Sequence, residues 1–147
     1  MASIHEKYMK MALKQAQMAF DEGEIPVGAV VVHNDKVIAK AYNQVQRLND
    51  PTAHAEMLAI TAACNGLGAK YLQGCTLYVT LEPCTMCAGA IRWAQLSAIV
   101  FGAHDKKAGY AAFTQSLFPS KTEIVGGILE AECKQLMLDF FEELRSK

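Results

Sequence analysis

The stretch Cys75–Ala103, "CTLYVTLEPCTMCAGAIRWAQLSAIVFGA", carries the pattern from which the fold is read. Two short β-rich runs, "CTLYVT" and "SAIVFGA", flank "PCTMCAGAIRWAQ". Pro83 in that middle segment suits a helix start, and the alanine-rich remainder suits a helix body. The order strand, helix, strand follows. Upstream, "VGAVVVH" (27–33) and "KVIAKAYN" (36–43) flank Asn34-Asp35, and β-branched runs around a turn-forming pair predict a hairpin. The unbroken Val30–Val32 run predicts a central strand.

The helices are read from three- and four-residue steps of apolar side chains. Ile4, Tyr8, Met11, Ala12, Gln15, Ala16, Ala19 and Phe20 give an amphipathic first helix ending near Gly23. "DPTAHAEMLAITAACNG" predicts a second, with Asp50 as N-cap, Pro51 at the first helical position and Asn65-Gly66 at its end. Thr122–Val125 reads as a last short strand. Cys133, Leu136, Met137, Phe140, Phe141 and Leu144 line one face of a C-terminal helix. This alternation predicts an α/β fold whose sheet carries helices on both faces. No repeat or linker-like tract interrupts it, so one domain over residues 1–147 is expected.

Bulk properties agree with that size and bound the function. The chain has 147 residues, 52% hydrophobic and 20% charged, enough to bury a core without staples. A net charge of −1 gives no global polyanion-binding signal, so any nucleic-acid contact must be argued locally. The opening segment "MASIHEKYMKMALKQAQMAF" is amphipathic where a signal peptide is continuously apolar, and no run suits a membrane span. A cytoplasmic location is expected. Five cysteines, an odd number, argue against a disulfide framework.

Cys84 and Cys87 are the informative pair. Three apart at a helix start, they direct two sulfurs beyond the helix end, where the macrodipole and free N–H groups favour thiolates. The pair alone fits a redox motif as well as half a metal site. A structural zinc ribbon needs a second close pair, and Cys64, Cys75, Cys133, His5, His33 and His104 are scattered. "HAE", His54–Glu56, offers a third ligand and leaves the fourth position to water, the arrangement of catalytic zinc. His54 and Glu56 do not share a helix face, so their target must be approached end-on from a helix N-terminus. Glu56 then reaches the water as a proton shuttle without ligating metal. Glu82, followed by proline at a strand end, reads as a structural hydrogen-bonder. Cys64, Cys75 and Cys133 read as inert, and Trp93 and the methionines as core or interface.

"HAE" followed by "PCTMC" resembles the signature of the zinc-dependent nucleobase deaminases, a family that general accounts of base-flipping enzymes themselves use as an example. "EIPVGAVVV", "NDPTAHAE", "LYVTLEPCTMCAGAI" and "VFGAHDKKAG" are similar, in order, to bacterial tRNA adenosine deaminases across most of the chain. The resemblance implies a three-layer α/β/α cytidine-deaminase-like fold with a five-stranded mixed sheet. It further implies one zinc per subunit, a homodimer, and conversion of the wobble adenosine of a tRNA anticodon to inosine. Matched residue by residue, His54, Cys84 and Cys87 hold zinc and Glu56 is catalytic. Asn43 hydrogen-bonds the base or ribose, Pro26 and Val27 wall the pocket, and the backbone of Ala55 helps fix the purine edge. Asp105 lies near the anticodon loop, with Lys106 and Lys107 adding positive charge. The stretch Tyr110–Leu117 departs from the Gly-Ala-x-Gly-Ser continuation of many relatives.

Three other readings stay open. A deaminase of free guanine, cytosine or a nucleoside has the same zinc site. A non-catalytic zinc-stabilised RNA-binding subunit needs the ligands and not Glu56. A thioredoxin-like module needs the cysteines and no metal.

Overall fold

The computed structural model describes residues 3–113 and 117–147; Thr114, Gln115 and Ser116, within the stretch that departs from relatives, lie outside the described residues. Helix α1 (Ile4–Asp21) is capped by the Ser3 hydroxyl accepting from Glu6 N. Strands β1 (Gly28–His33) and β2 (Lys36–Tyr42) follow. Asn34 and Asp35 both have positive φ, 50° and 61°, as a tight hairpin twisting with its strands requires.

The chain continues through α2 (Val45–Leu48), α3 (Ala55–Leu67), β3 (Cys75–Leu81), α4 (Thr85–Ala94), β4 (Ala98–Ala103), β5 (Glu123–Val125) and α5 (Glu130–Arg145). The sheet order is β2-β1-β3-β4-β5. β1 runs antiparallel to both neighbours, whereas β3, β4 and β5 are mutually parallel, so the sheet is mixed.

The apolar run in β1 is explained by burial on both sides. Successive strand residues face opposite ways. Ala29 and Val31 pack with Ala55, Ala59 and Ala63 of α3 and Ile91 of α4. Val30 and Val32 pack with Tyr8, Met9 and Ala12 of α1 and with Cys133 of α5. Small residues allow close approach: a methyl at Gly28 would overlap the Ala12 carbonyl and the Ala16 nitrogen, so α1 lies directly on the start of β1. The fold is the expected three-layer α/β/α sandwich with a five-stranded mixed sheet.

The structure corrects one helix start. Asp50 does not cap α3: its carboxylate accepts from the backbone N and hydroxyl of Thr52, closing an Asx turn. Pro51 stays in that turn, and α3 begins at Ala55 with His54 as N-cap. The short α2, which no periodicity announced, ends at Asn49 in a left-handed conformation. Trp93 is not core: it is 80% exposed on α4. Cys64 is only half-buried, while Cys75 and Cys133 are buried as expected.

Candidate metal centre and active site

Two helix N-termini meet at one point. His54 is the N-cap of α3 and Cys84 the N-cap of α4. Both have extended backbones, and neither side chain caps its own helix. The side chains normally spent on capping are thus free to project past the helix ends. β3 delivers Cys84 through the Glu82-Pro83 turn, and one helical turn brings Cys87 to the same place.

His54 Nδ1 lies 3.7 Å from Cys84 Sγ and 3.5 Å from Cys87 Sγ, and all three ligand atoms fall within 4.8 Å of one another. Tetrahedral zinc, with Zn–S of about 2.3 Å and Zn–N of about 2.1 Å, sets nitrogen and sulfur about 3.6 Å apart. The observed separations match that spacing, and one nitrogen with two sulfurs is a zinc donor set. The residues fit the metal. Cys84 is already the better thiolate: hydrogen bonds from Cys87 first, and then His54, pull its thiol down to about 3. The same Cys84 contact, with burial, pushes the Cys87 thiol up.

Glu56, in the first turn of α3, is only 4% exposed and lines the cleft beside His54 and Cys84. Burial pushes its carboxyl up to about 7, so protonated and ionised forms are both accessible near neutral pH. It stands outside the three-atom ligand cluster.

The cleft has a volume of about 1070 Å³. Asn43, Val27 and Asp105 line it, together with His54, Glu56 and Cys84. Asn43 Oδ1 accepts from Ala55 N at 2.7 Å, fixing the start of α3. That bond leaves the Ala55 N–H no capacity for a purine edge, and Ala55 is fully buried. Pro26 is also fully buried and does not line the cleft. Asp105 Oδ1 accepts from Lys107 N and Ala108 N, so this carboxylate shapes its own loop. Lys107 and Lys134 reach the rim, and α5 adds Met137 and Phe141 as an apolar wall.

Two buried carboxylates have roles that periodicity did not announce. Glu24, 1% exposed, accepts from Gln46 N at 3.0 Å and Arg47 N at 2.8 Å, anchoring the start of α2. Glu82, read from sequence as a structural hydrogen-bonder, accepts from Asp105 N at 3.0 Å and Ala111 N at 3.1 Å. The available signal is an acidic residue one or two positions before a proline at the edge of an apolar run: "EIP" (24–26) and "LEP" (81–83).

Comparison with known proteins agrees with this geometry. A family model of the cytidine and deoxycytidylate deaminase zinc-binding region matches residues 2–103. The tRNA-specific adenosine deaminase of Bacillus subtilis is 47% identical, over 97% of this chain and 91% of its own. A solved structure from work on A-to-I editing by tRNA:A34 deaminases at the wobble position superposes with a TM-score of 0.82 and 41% identity, covering 88% of this chain and 98% of that one. A guanine deaminase of B. subtilis superposes less fully, with a TM-score of 0.68 and 44% identity over 78% and 73% of the two chains.

Proposed function

The chain belongs to the cytidine and deoxycytidylate deaminase family, and on that premise we propose that it hydrolytically deaminates the wobble adenosine of a tRNA anticodon to inosine. The observation that carries the chemistry is the His54–Cys84–Cys87 triad with buried Glu56 beside it in one cleft. Similarity to tRNA-specific adenosine deaminases over nearly the whole length supports RNA as the substrate.

His54, Cys84 and Cys87 hold the zinc. When bound there, zinc lowers the pKa of a coordinated water from about 15.7 toward about 7. Glu56 accepts a proton from the attacking water and gives it to adenine N1 as C6 becomes tetrahedral. It then carries the hydroxyl proton to the exocyclic amine, so the C6–N bond breaks, ammonia leaves and the C6 carbonyl remains. Asn43 holds the start of α3 through Oδ1, and its amide nitrogen serves the base or ribose. Val27 walls the base; Pro26 and Ala55 support the pocket from buried positions.

A cleft of about 1070 Å³ lies just above the usual range of about 300–1,000 Å³ for small-molecule sites. That room suits a flipped nucleotide still joined to its strand. Asp105 and Lys107 line the cleft on the side we assign to the anticodon loop, and Lys106 beside them adds positive charge that would meet phosphate. We read the chain as a cytoplasmic homodimer. Among the described residues, no helix is long and apolar enough to cross a membrane.

The less complete likeness to a guanine deaminase favours one second reading, action on a free purine. Inosine formed in an anticodon stem-loop, against ammonia released from guanine, separates the two. Activity on guanine with the stem-loop untouched overturns the proposal.

A further inference from the structure

Glu82 joins two parts of the site that are far apart in sequence. Its side chain is buried at 5% exposure, and its two carboxylate oxygens are taken by backbone N–H groups from the ends of one loop, Asp105 and Ala111. Its own N–H goes to the Ala103 carbonyl at 2.8 Å. The adjacent residues extend the seam: Tyr110 N donates to the Pro83 carbonyl at 2.8 Å, and Cys84 forms an isolated antiparallel bridge with Gly109. A methyl at Gly109 would overlap the Glu82 carboxylate. The loop is therefore pressed onto the turn that carries a metal ligand, with no space between them.

We propose that Glu82 is a positioning residue for RNA: its carboxylate locks the Asp105–Ala111 loop onto the Cys84 turn, setting the cleft-lining Asp105 and Lys107 at a fixed distance from the reacting base. The proposal rests on the RNA reading above. Both oxygens are spent on loop amides, so Glu82 has no part in proton transfer. Its effect is on how well the strand seats, which appears in KM.

Charge-assisted bonds to backbone N–H groups are among the stronger ones in proteins. Glu82→Gln keeps shape and one acceptor but turns an NH₂ donor toward a backbone N–H, which detaches one end of the loop. Gly109→Ala attacks the same contact from the other side. Residue 109 has φ −66° and ψ 152°, which alanine adopts freely, so that variant acts through the Glu82 contact and the neighbouring Asp105 carbonyl.

The test uses the full zinc-loaded chain as wild type, Glu82→Gln, Gly109→Ala and the double variant. Each is read by zinc content, amide hydrogen exchange at Asp105 and Ala111, and kcat and KM on an anticodon stem-loop. Glu82→Gln is expected to keep its zinc, to exchange those two amides roughly tenfold faster or more, and to raise KM by a similar factor with kcat changed less than about threefold. Gly109→Ala should do the same, and the double variant should be no worse than the worse single, as coupled sites require. If Glu82→Gln fails to fold, the Gly109→Ala result decides alone. Unchanged exchange at both amides, a fall in kcat with KM unchanged, loss of zinc, or additive effects would each overturn the proposal. Exchange is read without substrate, so an RNA reading that fails on wild-type enzyme is told apart from a failed clamp.

Discussion

His54 and Cys84 are the N-caps of two different helices, and their ligand atoms lie 3.7 Å apart. Each helix gives up its side-chain cap to the site. The first turns of α3 and α4 thus point their positive dipole ends toward a place where thiolate charge gathers.

That sacrifice predicts a separation of stability from metal binding. Serine is a good N-cap and cysteine is not, so Cys84→Ser should cap α4 and match or exceed the metal-free wild type in stability, by up to about 1 kcal/mol. The same variant should lose zinc and deamination together. Denaturant melts of both metal-free proteins, with metal analysis, check it; a Cys84→Ser protein markedly less stable than metal-free wild type contradicts it.

Glu56 stands beside the ligands without being one, so its removal should spare the metal. Glu56→Ala is expected to retain about one zinc per chain and to lose roughly 10²–10⁴ in kcat. Zinc content and single-turnover rates on the same preparation decide this. Rapid turnover by the variant removes Glu56 from the mechanism.

The close seat of α1 on β1 predicts a large effect from one methyl. Gly28→Ala drives a Cβ into the Ala12 carbonyl and should destabilise the fold by about 1–3 kcal/mol, as overpacking does. A melt within about 0.5 kcal/mol of wild type would mean that α1 shifts freely.

The start of α5 is tied to β4 by a pair with a defined pH response. The His104 side chain first, and then its backbone N–H, hold the Glu130 carboxyl below the usual carboxylate range. A lowered carboxyl pKa contributes stability that is fully present above the unfolded value and is lost as pH falls through the folded one. The pair is more than a third exposed, at 50% and 43%, so solvent screening limits the effect to about 1 kcal/mol or less. Glu130→Gln should therefore destabilise at pH 7 and approach wild type as the pH is lowered through the folded-state pKa of the carboxyl. A gap that stays the same size throughout the acid range refutes the assignment.

The parts legible from sequence were those carried by local pattern. Asn34-Asp35 announced its hairpin because the turn's φ demands are met within two residues. Val30–Val32 announced an interior strand because burial on both faces leaves no polar alternation. The misreading at Asp50 has an equally local cause: an aspartate before proline suits a cap or an Asx turn, and His54, four residues on, took the cap position. Glu82 is legible as a structural hydrogen-bonder, but its partners and those of Glu24 are not, since they lie 22 to 29 residues away and are backbone N–H groups, which leave no mark in a sequence. Asn43 is similar: the family resemblance implies a contact to the base or ribose, and the additional bond its Oδ1 accepts from Ala55 N depends on how β2 meets α3.

The most direct test of the account is inosine formation by the zinc-loaded protein in an anticodon stem-loop carrying adenosine at the wobble position, read by nucleoside analysis, with free guanine and adenosine assayed alongside. The account predicts one inosine per stem-loop at that position and no comparable ammonia release from the free compounds. Deamination of guanine with the stem-loop left as adenosine would contradict it.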